Sequence, residues 1–370
     1  MQTTTTSIRD HIKRLLRDPI GAETAAFARW QKLMIQAAAN TTRLEPSANR
    51  RKGISFFAKM GDIAGKLPTV SVSVRWRGLE VGTLEMQPTK KSPIFFVKMP
   101  NEPKSKLQNV FASLRKRLGH DYWKRLEGEN GCEWASEPAS EFFKLLTNGG
   151  FSDSSPELAI EESLAASLRP SKLSFWFQRC ALVQWKMGKW LPFKFTVPIT
   201  IQQKGAASLD KLIQTTKRYG ATDILLRTEG SFGGRRKRLA VLELKKPGGK
   251  AELSLLQAYA YAVALDEAQD GKHPDFHRSL RRLLGYPKDS PKHIQFAAYA
   301  VVAQHDVQKV CDSELTKRVT REAGDDVLTG ILGYELKDKL IYIKSAVQFV
   351  NGKSKDILGD SRRQSVNFVA

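Results

Sequence analysis

An apolar segment in the second half of the chain carries two opposite charges at positions where side chains should point the same way. The segment is LAVLELKKPGG, residues 239–249, and the two charges are Glu243 and Lys245. Because side chains alternate along a β-strand, residues two apart stand side by side on one face. Charges in such a run must either pair with neighbouring groups or do chemistry, since an isolated buried charge is costly.

The preceding segment ATDILLR, residues 221–227, supplies a third charged side chain. If the two segments form a hairpin centred on Gly233, positions equally distant from that glycine lie opposite each other. Asp223 then lies opposite Glu243, with Cβ atoms about 5 Å apart on neighbouring strands. The spacing therefore predicts two carboxylates that meet across a strand pair.

Two carboxylates this close repel unless a proton or a cation lies between them. Mg²⁺ takes oxygen ligands and is commonly bound by one or two carboxylates together with water and substrate phosphate. Lys245, on the same face, would orient or deprotonate a water or stabilise charge on a phosphate. The residue types and their spacing predict a metal-assisted hydrolytic site.

These residues resemble the signature of the PD-(D/E)XK, or restriction-endonuclease-like, nuclease superfamily. The signature is an Asp at one strand end, here Asp223, then an acidic residue, any residue and a Lys on the next strand, here residues 243–245. The resemblance implies Mg²⁺, with Mn²⁺ able to substitute, held by Asp223, Glu243 and the backbone carbonyl of Leu244. It covers residues 155–305 and departs from the pattern at Thr222, where the family's name has Pro.

A further part of the resemblance lies in the next helix, which in the RecB-like branch often carries Gln-x-x-x-Tyr. Gln257 and Tyr261 have that spacing. The resemblance implies that Gln257 orients Lys245 or the substrate, and Tyr261 is assigned to nucleic-acid binding. An N-terminal helix of the family often adds a Glu, a place that Glu161 or Glu157 could fill. The catalytic set that we predict is Asp223, Glu243, Lys245, Gln257 and Glu161.

The same three letters, Glu-Leu-Lys, recur at residues 335–337. This copy has no Asp on a preceding strand at a comparable distance, and no Gln-bearing helix follows it. We expect it to be an exposed ion pair. A cross-strand salt bridge is also the alternative reading of residues 243–245.

Composition points to a polyanionic partner. The chain has 60 Lys and Arg residues against 38 Asp and Glu residues, a formal net charge of +22. Nucleic acid, and DNA first, is the expected partner ahead of an anionic membrane; a basic surface kept for solubility is the alternative. A basic turn expected beside the site could hold phosphates or be a solvated hairpin tip; it comprises Arg235, Arg236, Lys237 and Arg238. Three tryptophans could stack on bases or lie in the core: Trp176, Trp185 and Trp190.

Several functional classes are disfavoured by what the sequence lacks. The three cysteines are far apart and form no CxxC, and the six histidines form no cluster at ligand spacing, which argues against disulfides and zinc. There is no Walker A motif. The N-terminus lacks a signal-peptide layout and no uncharged apolar run could cross a bilayer, so we expect a soluble, cytoplasmic protein in a reducing environment.

The elements that must position these residues read as a mixed α/β (α+β) protein. We predict helices over residues 7–39, a loop over residues 40–66, and an antiparallel meander over residues 70–99, followed by a basic helix at 105–126. The second half is predicted to hold a helix at 155–168, a strand at 193–201, a helix at 208–220 and strands around residues 221–227 and 238–246. A helix at 252–268, a strand at 293–304 and a last hairpin near 331–346 complete the pattern.

We predict three parts of the chain: residues 1–150, an α+β accessory or recognition domain; residues 151–350, a restriction-endonuclease-like domain with a mixed central sheet flanked by helices; and residues 351–370, a flexible tail. The expected function is a Mg²⁺-dependent nuclease acting on DNA, in restriction or phage defence, with repair and mobile-element roles left open. The accessory domain would supply target recognition, a homodimer contact or a protein partner. The alternatives are a nucleic-acid-binding protein that retains the fold without cutting, and a basic scaffold or ribosome-associated protein.

Overall fold

The structure is a computed structural model of the chain. It describes residues 7–17, 22–40, 54–61, 69–77, 79–85, 94–97, 106–128, 131–151, 160–161, 164, 180–182, 193–202, 209–214, 220–228, 238–269, 274–283, 293–324, 326–337, 340–350 and 352–356. Helices and strands alternate along these ranges. The predicted mixed α/β class is therefore confirmed at that level.

The helices are α1 (Ile8–Arg17), α2 (Ala22–Asn40), α3 (Lys106–Leu118), α4 (His120–Glu127), α5 (Glu137–Asn148), α6 (Leu209–Leu212), α7 (Glu252–Gln269), α8 (Pro274–Leu283), α9 (Val307–Asp312) and α10 (Glu314–Ala323). Short helical pieces are also described at residues 160–161 and at residue 164.

The first strands are β1 (Ile54–Gly61), β2 (Thr69–Trp76), β3 (Leu79–Glu85), β4 (Ile94–Val97), β5 (Cys132–Glu133), β6 (Cys180–Leu182), β7 (Phe193–Lys194), β8 (Thr196–Val197) and β9 (Thr200–Ile201). The remaining strands are β10 (Ile213–Gln214), β11 (Gly220–Ala221), β12 (Ile224–Thr228), β13 (Arg238–Leu244), β14 (Gln295–Ala303), β15 (Leu328–Lys337), β16 (Leu340–Val350) and β17 (Lys353–Asp356).

One large sheet joins both halves of the described chain. Its strand order is β17-β16-β15-β14-β13-β12-β7-β1-β2-β3-β4-β5, and β6 also pairs with β12. The central pairs β13–β14 and β14–β15 are parallel, as is β1–β7, whereas β12 and β13 are antiparallel. Because the central strands are buried on both faces, they read as continuous apolar runs, with residues 239–244 all buried.

The first helix shows how the apolar periodicity of the N-terminus is used. Ile8, Ile12, Leu15 and Leu16 are spaced to share one helical face, and all are buried as predicted. Together with Trp30 of α2, they belong to the same apolar core as α7. The N-terminal helices thus pack against the second half of the chain, although the proposed division at residue 150 itself remains a prediction.

A second apolar core lies between strands β2–β4 and helices α3–α5. The predicted antiparallel meander is confirmed by the pairing of β2 with β3 and of β3 with β4. Aromatic rings fill this core, for example Phe95 against Phe143 and Trp134 against Phe143, each at 4.9 Å between centroids. This region therefore has its own interior while its strands continue the large sheet.

The structure corrects three sequence-based expectations about elements. Residues 54–61 form β1, not loop, because an eight-residue pairing with β2 outweighs the polar flanking sequence. Within the range 208–220, where a helix was expected, residues 209–212 form α6, but Ile213 enters β10 and pairs with Ile201. The basic helix is broken at Gly119, whose φ of 81° ends α3.

Two observations concern the chain ends and membranes. β17 extends the large sheet into residues 353–356, within the range assigned to the tail. In the ranges that the structure describes, no helix is both long and apolar enough to cross a membrane.

Candidate active site

The predicted hairpin register is the one observed. Ile224 lies opposite Leu242 and Thr228 lies opposite Arg238, which continues to place Asp223 opposite Glu243. The Asp223 N–H donates to Glu243 Oε1 at 3.3 Å.

A second hydrogen bond between these strands runs the other way. The Leu244 N–H donates to Asp223 Oδ2 at 2.8 Å. Each of the two carboxyl groups thus accepts a hydrogen bond from a backbone N–H of the opposite strand segment. The convergence predicted from the spacing is confirmed.

Glu243 is the most strongly perturbed acid of the site. Its side chain is fully buried, and no donor in the described part of the chain lies within hydrogen-bonding distance of Oε2. Burial raises the pKa of Glu243 well above its ordinary value, and the neighbouring Asp223 carboxylate raises it further, while the Lys245 ammonium opposes the shift. Burial and the neighbouring carboxylate therefore favour the protonated form of Glu243.

Lys245 is held at the end of β13 by its backbone. Its N–H donates to the carbonyl of Val301 at 2.9 Å, and its own carbonyl accepts from the Tyr334 hydroxyl at 3.0 Å. Its side chain is 9% exposed. Strands β14 and β15 therefore fix where the lysine leaves the sheet.

Leu244 separates the two charges and turns its side chain to the other face of the sheet. Its side chain lies in the apolar cluster that also contains Leu242 and Tyr334. Because the N–H and C=O of one residue point to the same side of an extended strand, the Leu244 carbonyl faces the side on which Asp223 lies. This orientation is compatible with its predicted role as a backbone ligand.

Thr222 stands at the position where the nuclease superfamily that the chain resembles is named for Pro, and its hydrogen bonds explain why threonine suits this position. Its N–H donates to the Phe195 carbonyl at 2.9 Å, and its hydroxyl accepts from the Phe195 N–H at 3.1 Å. Proline has no N–H and no hydroxyl, so it could make neither bond. Thr222 thus anchors the backbone immediately before Asp223.

The helix after the motif brings Gln257 and Tyr261 towards the carboxylates. The two residues are one helical turn apart, and Gln257 Nε2 donates to the Tyr261 hydroxyl at 3.4 Å. Burial raises the Tyr261 pKa, and the negative charges of Glu243 and Asp223 raise it further. Tyr261 is only 3% exposed, so the structure gives it an interior position and not a surface that faces nucleic acid.

Glu161 contacts a strand of the N-terminal half of the chain. It forms a buried ion pair with Arg75 of β2 at 3.1 Å, and the Arg75 guanidinium lies 3.9 Å from the Phe57 ring centroid. Arg75 lies opposite Ser55 in the sheet. Following the strand pairs from β1 through β7 and β12 to β13 places Ser55 level with Arg238, at the opposite end of β13 from Glu243. The catalytic role of Glu161 stays a prediction, and Glu157 lies outside the described residues.

Arg238, the described member of the basic turn, lies at the far end of β13 from the carboxylates. Arg238 begins β13, and Glu243 is five positions further along the chain, or about 17 Å along an extended strand. The expectation that the turn lies beside the site therefore does not hold for Arg238. Its other members, residues 235–237, and the tryptophans 176, 185 and 190 lie outside the described residues.

The cation that the family resemblance implies is Mg²⁺, and its candidate ligands are Asp223, Glu243 and the backbone carbonyl of Leu244. Within the described ranges, no group of three or more His, Cys, Asp or Glu side chains is arranged to hold a metal. Two carboxylates and one backbone carbonyl nevertheless suit Mg²⁺, which usually keeps several waters and takes substrate phosphate as a further ligand. Glu243 Oε2, buried without a donor, is the atom that such an ion would satisfy.

The second Glu-Leu-Lys copy behaves as expected. Glu335 is about half exposed and lies 3.7 Å from Lys344 of β16. Leu336 is 55% exposed. The copy is an exposed ion pair, although the partner of the carboxylate is Lys344 of the adjacent strand.

Sequence reasoning missed Tyr334 and the anchoring role of Thr222. Both act through long-range backbone contacts, to Lys245 and to Phe195 respectively. No local pattern signals such contacts, because they depend on which strands become neighbours in the sheet.

Comparisons of this chain with protein-family models, with curated proteins and with solved structures found no match. The fold and the site define a mixed α/β protein in which the buried Glu243 lies beside the partly buried Asp223, with Lys245 following on the same strand face.

Proposed function

We propose that the protein is a Mg²⁺-dependent nuclease that hydrolyses phosphodiester bonds, with DNA as its substrate. One observation carries the proposal: Asp223 and Glu243 meet across β12 and β13, and Lys245 follows on the same strand face. The charge of +22 supports a polyanionic substrate.

The roles of the residues follow from their positions. Asp223, Glu243 and the Leu244 carbonyl would hold the ion. When bound, the ion would lower the pKa of a coordinated water and neutralise charge that develops on the phosphate. Lys245 would orient that water or accept its proton.

Gln257 would position Lys245 in this mechanism. Its Oε1 is buried and has no donor among the described residues, whereas the Lys245 ammonium has three N–H donors to offer. The bond from Gln257 Nε2 to Tyr261 directs the amide, so that Oε1 is left to accept.

The order of elements supports a restriction-endonuclease-like core. Strands β12 and β13 form an antiparallel pair, α7 follows, and β14 returns parallel to β13. A parallel return of this kind requires a crossover connection, which α7 supplies. These elements correspond to the last part of the order that the resemblance implies, which is helix, three strands, helix and strand.

Cleavage should be tested with supercoiled plasmid, linear duplex and single-stranded DNA in Mg²⁺, Mn²⁺ or EDTA. The informative pair of variants is Glu243→Gln and Glu335→Gln, since both remove a carboxylate from the tripeptide Glu-Leu-Lys. We expect metal-stimulated cleavage by the wild type and Glu335→Gln, and loss of cleavage in Glu243→Gln. Metal-independent cleavage, or cleavage that survives Glu243→Gln, would exclude this site.

The competing function is a nucleic-acid-binding protein that retains the fold without cutting. The complete burial of Glu243 and its raised pKa favour this alternative, because a protonated carboxyl group is a poor cation ligand. Binding of DNA with no cleavage in any metal, and with no change in Asp223, Glu243 or Lys245 variants, would establish it.

A further inference from the structure

A set of exposed cations lies on the accessory region, away from the carboxylate pair. Helices α3 and α4 together carry six Lys and Arg residues against two Asp and Glu residues over residues 106–128. We call the exposed members, with one arginine from the β2–β3 turn, the α3–α4 basic face. It comprises Arg77, Arg115, Lys116, Arg117, Lys124 and Arg125.

The α3–α4 basic face is exposed because the opposite side of the same helices is apolar. Leu107, Val110 and Leu114 of α3, and Trp123 and Leu126 of α4, are buried against the strands. With the buried face fixed by this spacing, the charged positions must point to solvent.

A further feature of the α3–α4 basic face is the relation of its cations to acidic side chains. In the described ranges, no carboxylate lies within ion-pair distance of any residue of the α3–α4 basic face. Two exposed lysines elsewhere are paired: Lys309 with Glu252 at 2.6 Å, and Lys317 with Glu314 at 2.7 Å. A basic surface kept for solubility would mix both signs, as those regions do.

Arg77 occupies a backbone position that does not suit arginine. Trp76 and Leu79 are paired, so the hairpin between β2 and β3 has a two-residue loop, and Arg77 has a φ of 48° there. Asn or Gly is favoured at such a position. The Arg77 guanidinium lies 4.9 Å from the Trp76 ring centroid and donates to the Phe151 carbonyl, while Arg117 lies 5.7 Å from the Phe151 ring.

Stabilisation of helix ends accounts for part of this pattern only. Cations in the last turn of a helix interact favourably with its dipole, which applies to α3 and α4. That effect does not involve Arg77, which is in a turn. It also gives no reason for two arginines from separate elements to converge on Phe151.

We propose that the α3–α4 basic face binds the phosphate backbone of duplex DNA. The choice of DNA rests on the proposed function, whereas the contact with phosphate rests on the six exposed cations, which have no acidic partner among the described residues. Phe151 is half-buried and meets Trp76 edge-on at 6.1 Å, so the aromatic groups offer no open ring face for stacked bases. Backbone contact with a duplex therefore fits this surface better than single-strand stacking.

The test measures DNA binding in EDTA, where cleavage cannot occur, as a function of salt. The variant Lys116→Gln/Arg117→Gln/Lys124→Gln should bind a linear duplex more weakly. If each side chain contacts one phosphate, the slope of log K against log salt should fall by about 2.7. The matched control Lys309→Gln/Lys317→Gln/Lys344→Gln removes the same charge from paired lysines and should leave most of the slope intact.

The charge-preserving variant Lys116→Arg/Lys124→Arg should retain both affinity and slope. An unchanged slope in the first variant, an equal loss in the control, or tighter binding of an RNA duplex than of DNA would overturn the proposal. If the triple variant melts at lower temperature, Arg77→Gly replaces it, since Gly suits the positive φ and still removes a cation. If the wild type shows no metal-stimulated cleavage but the variants change the salt dependence of DNA binding as expected, the proposed nuclease function is contradicted and the proposed DNA-binding face is supported.

Discussion

At the scale of single residues, the site is defined by charges that an apolar strand would otherwise exclude. Glu243 is fully buried beside Asp223, and Lys245 follows it on the same face. The identical tripeptide at residues 335–337 is exposed at Glu335 and Leu336 and has no such neighbours. The chain thus contains its own control for any effect of local sequence.

The first prediction compares the two lysines of these tripeptides. Lys245→Ala should slow cleavage by about 10²–10⁴-fold, because it removes the group that orients or deprotonates the water. Lys337→Ala should leave cleavage intact and cost about 0–1 kcal/mol of unfolding free energy. Single-turnover rates at matched fractions of folded protein would decide this. Equal losses in both variants would remove Lys245 from the proposed chemistry.

The second prediction concerns the raised pKa of Glu243. Folding favours the protonated form, so its contribution to stability is fully present below the ordinary value of 4.5 and is lost as pH rises through the raised, folded pKa. In EDTA, unfolding free energy should therefore fall with rising pH above 4.5, by at most about 1.4 kcal/mol per pH unit for one proton.

The Glu243→Gln variant should flatten this pH dependence, because an amide does not titrate. Urea unfolding from pH 4 to pH 9 would measure it, with Glu335→Gln as the control that keeps the wild-type profile. A wild-type profile in the Glu243→Gln variant would mean that another group controls the pH dependence.

At the scale of elements, three neighbouring strands place the lysine. Lys245 directly follows β13, Val301 of β14 accepts a hydrogen bond from its N–H, and the Tyr334 hydroxyl of β15 donates to its carbonyl. The parallel register of β13, β14 and β15 makes this possible, since Leu244 aligns with Val301 and Ala303 aligns with Tyr334. The position of the reactive group thus depends on a strand far away in sequence.

The third prediction tests this dependence with Tyr334→Phe. Loss of the hydroxyl leaves the Lys245 carbonyl without its donor, so kcat should fall while KM changes little, together with a loss of about 1–3 kcal/mol of unfolding free energy. Tyr259→Phe is the matched control, since Tyr259 is also fully buried but its hydroxyl lies towards Arg9. A stability loss without any change in kcat would assign Tyr334 a purely structural role.

At the scale of the whole molecule, the N-terminal helix is fastened to the end of α7. Arg9 and Arg17 of α1 bind the buried Glu267 at 3.0 Å and 2.8 Å, and Arg9 also reaches Asp266 at 3.0 Å. The ordered apolar face of α1 covers the same core. The N-terminal helix therefore supports the helix that carries Gln257.

The fourth prediction follows from this fastening. Glu267→Gln should lower the unfolding free energy by about 1.5–3 kcal/mol, because it weakens charged hydrogen bonds to two arginines. Glu314→Gln, which breaks only the exposed pair with Lys317, should cost about 0–1 kcal/mol. Chemical denaturation would measure both, and similar small losses would show that α1 is held by its apolar face alone.

The sequence by itself determined the local features of this protein. Strand alternation placed Glu243 and Lys245 on one face, symmetry about Gly233 gave the hairpin register, and helical spacing put Gln257 next to Tyr261. Each of these follows from a repeat of two or about 3.6 residues within a short segment. Such repeats are encoded by neighbours along the chain, so they can be predicted without knowing the fold.

Only the tertiary structure decided which distant segments meet. It paired Glu161 with Arg75 and placed the Tyr334 hydroxyl within hydrogen-bonding distance of the Lys245 carbonyl. It also extended the sheet through β1, a segment that the sequence pattern predicts as a loop. It also placed Arg238 at the opposite end of β13 from the carboxylates. Pairing between remote strands depends on the packing of the complete core, and no short stretch of residues contains that information.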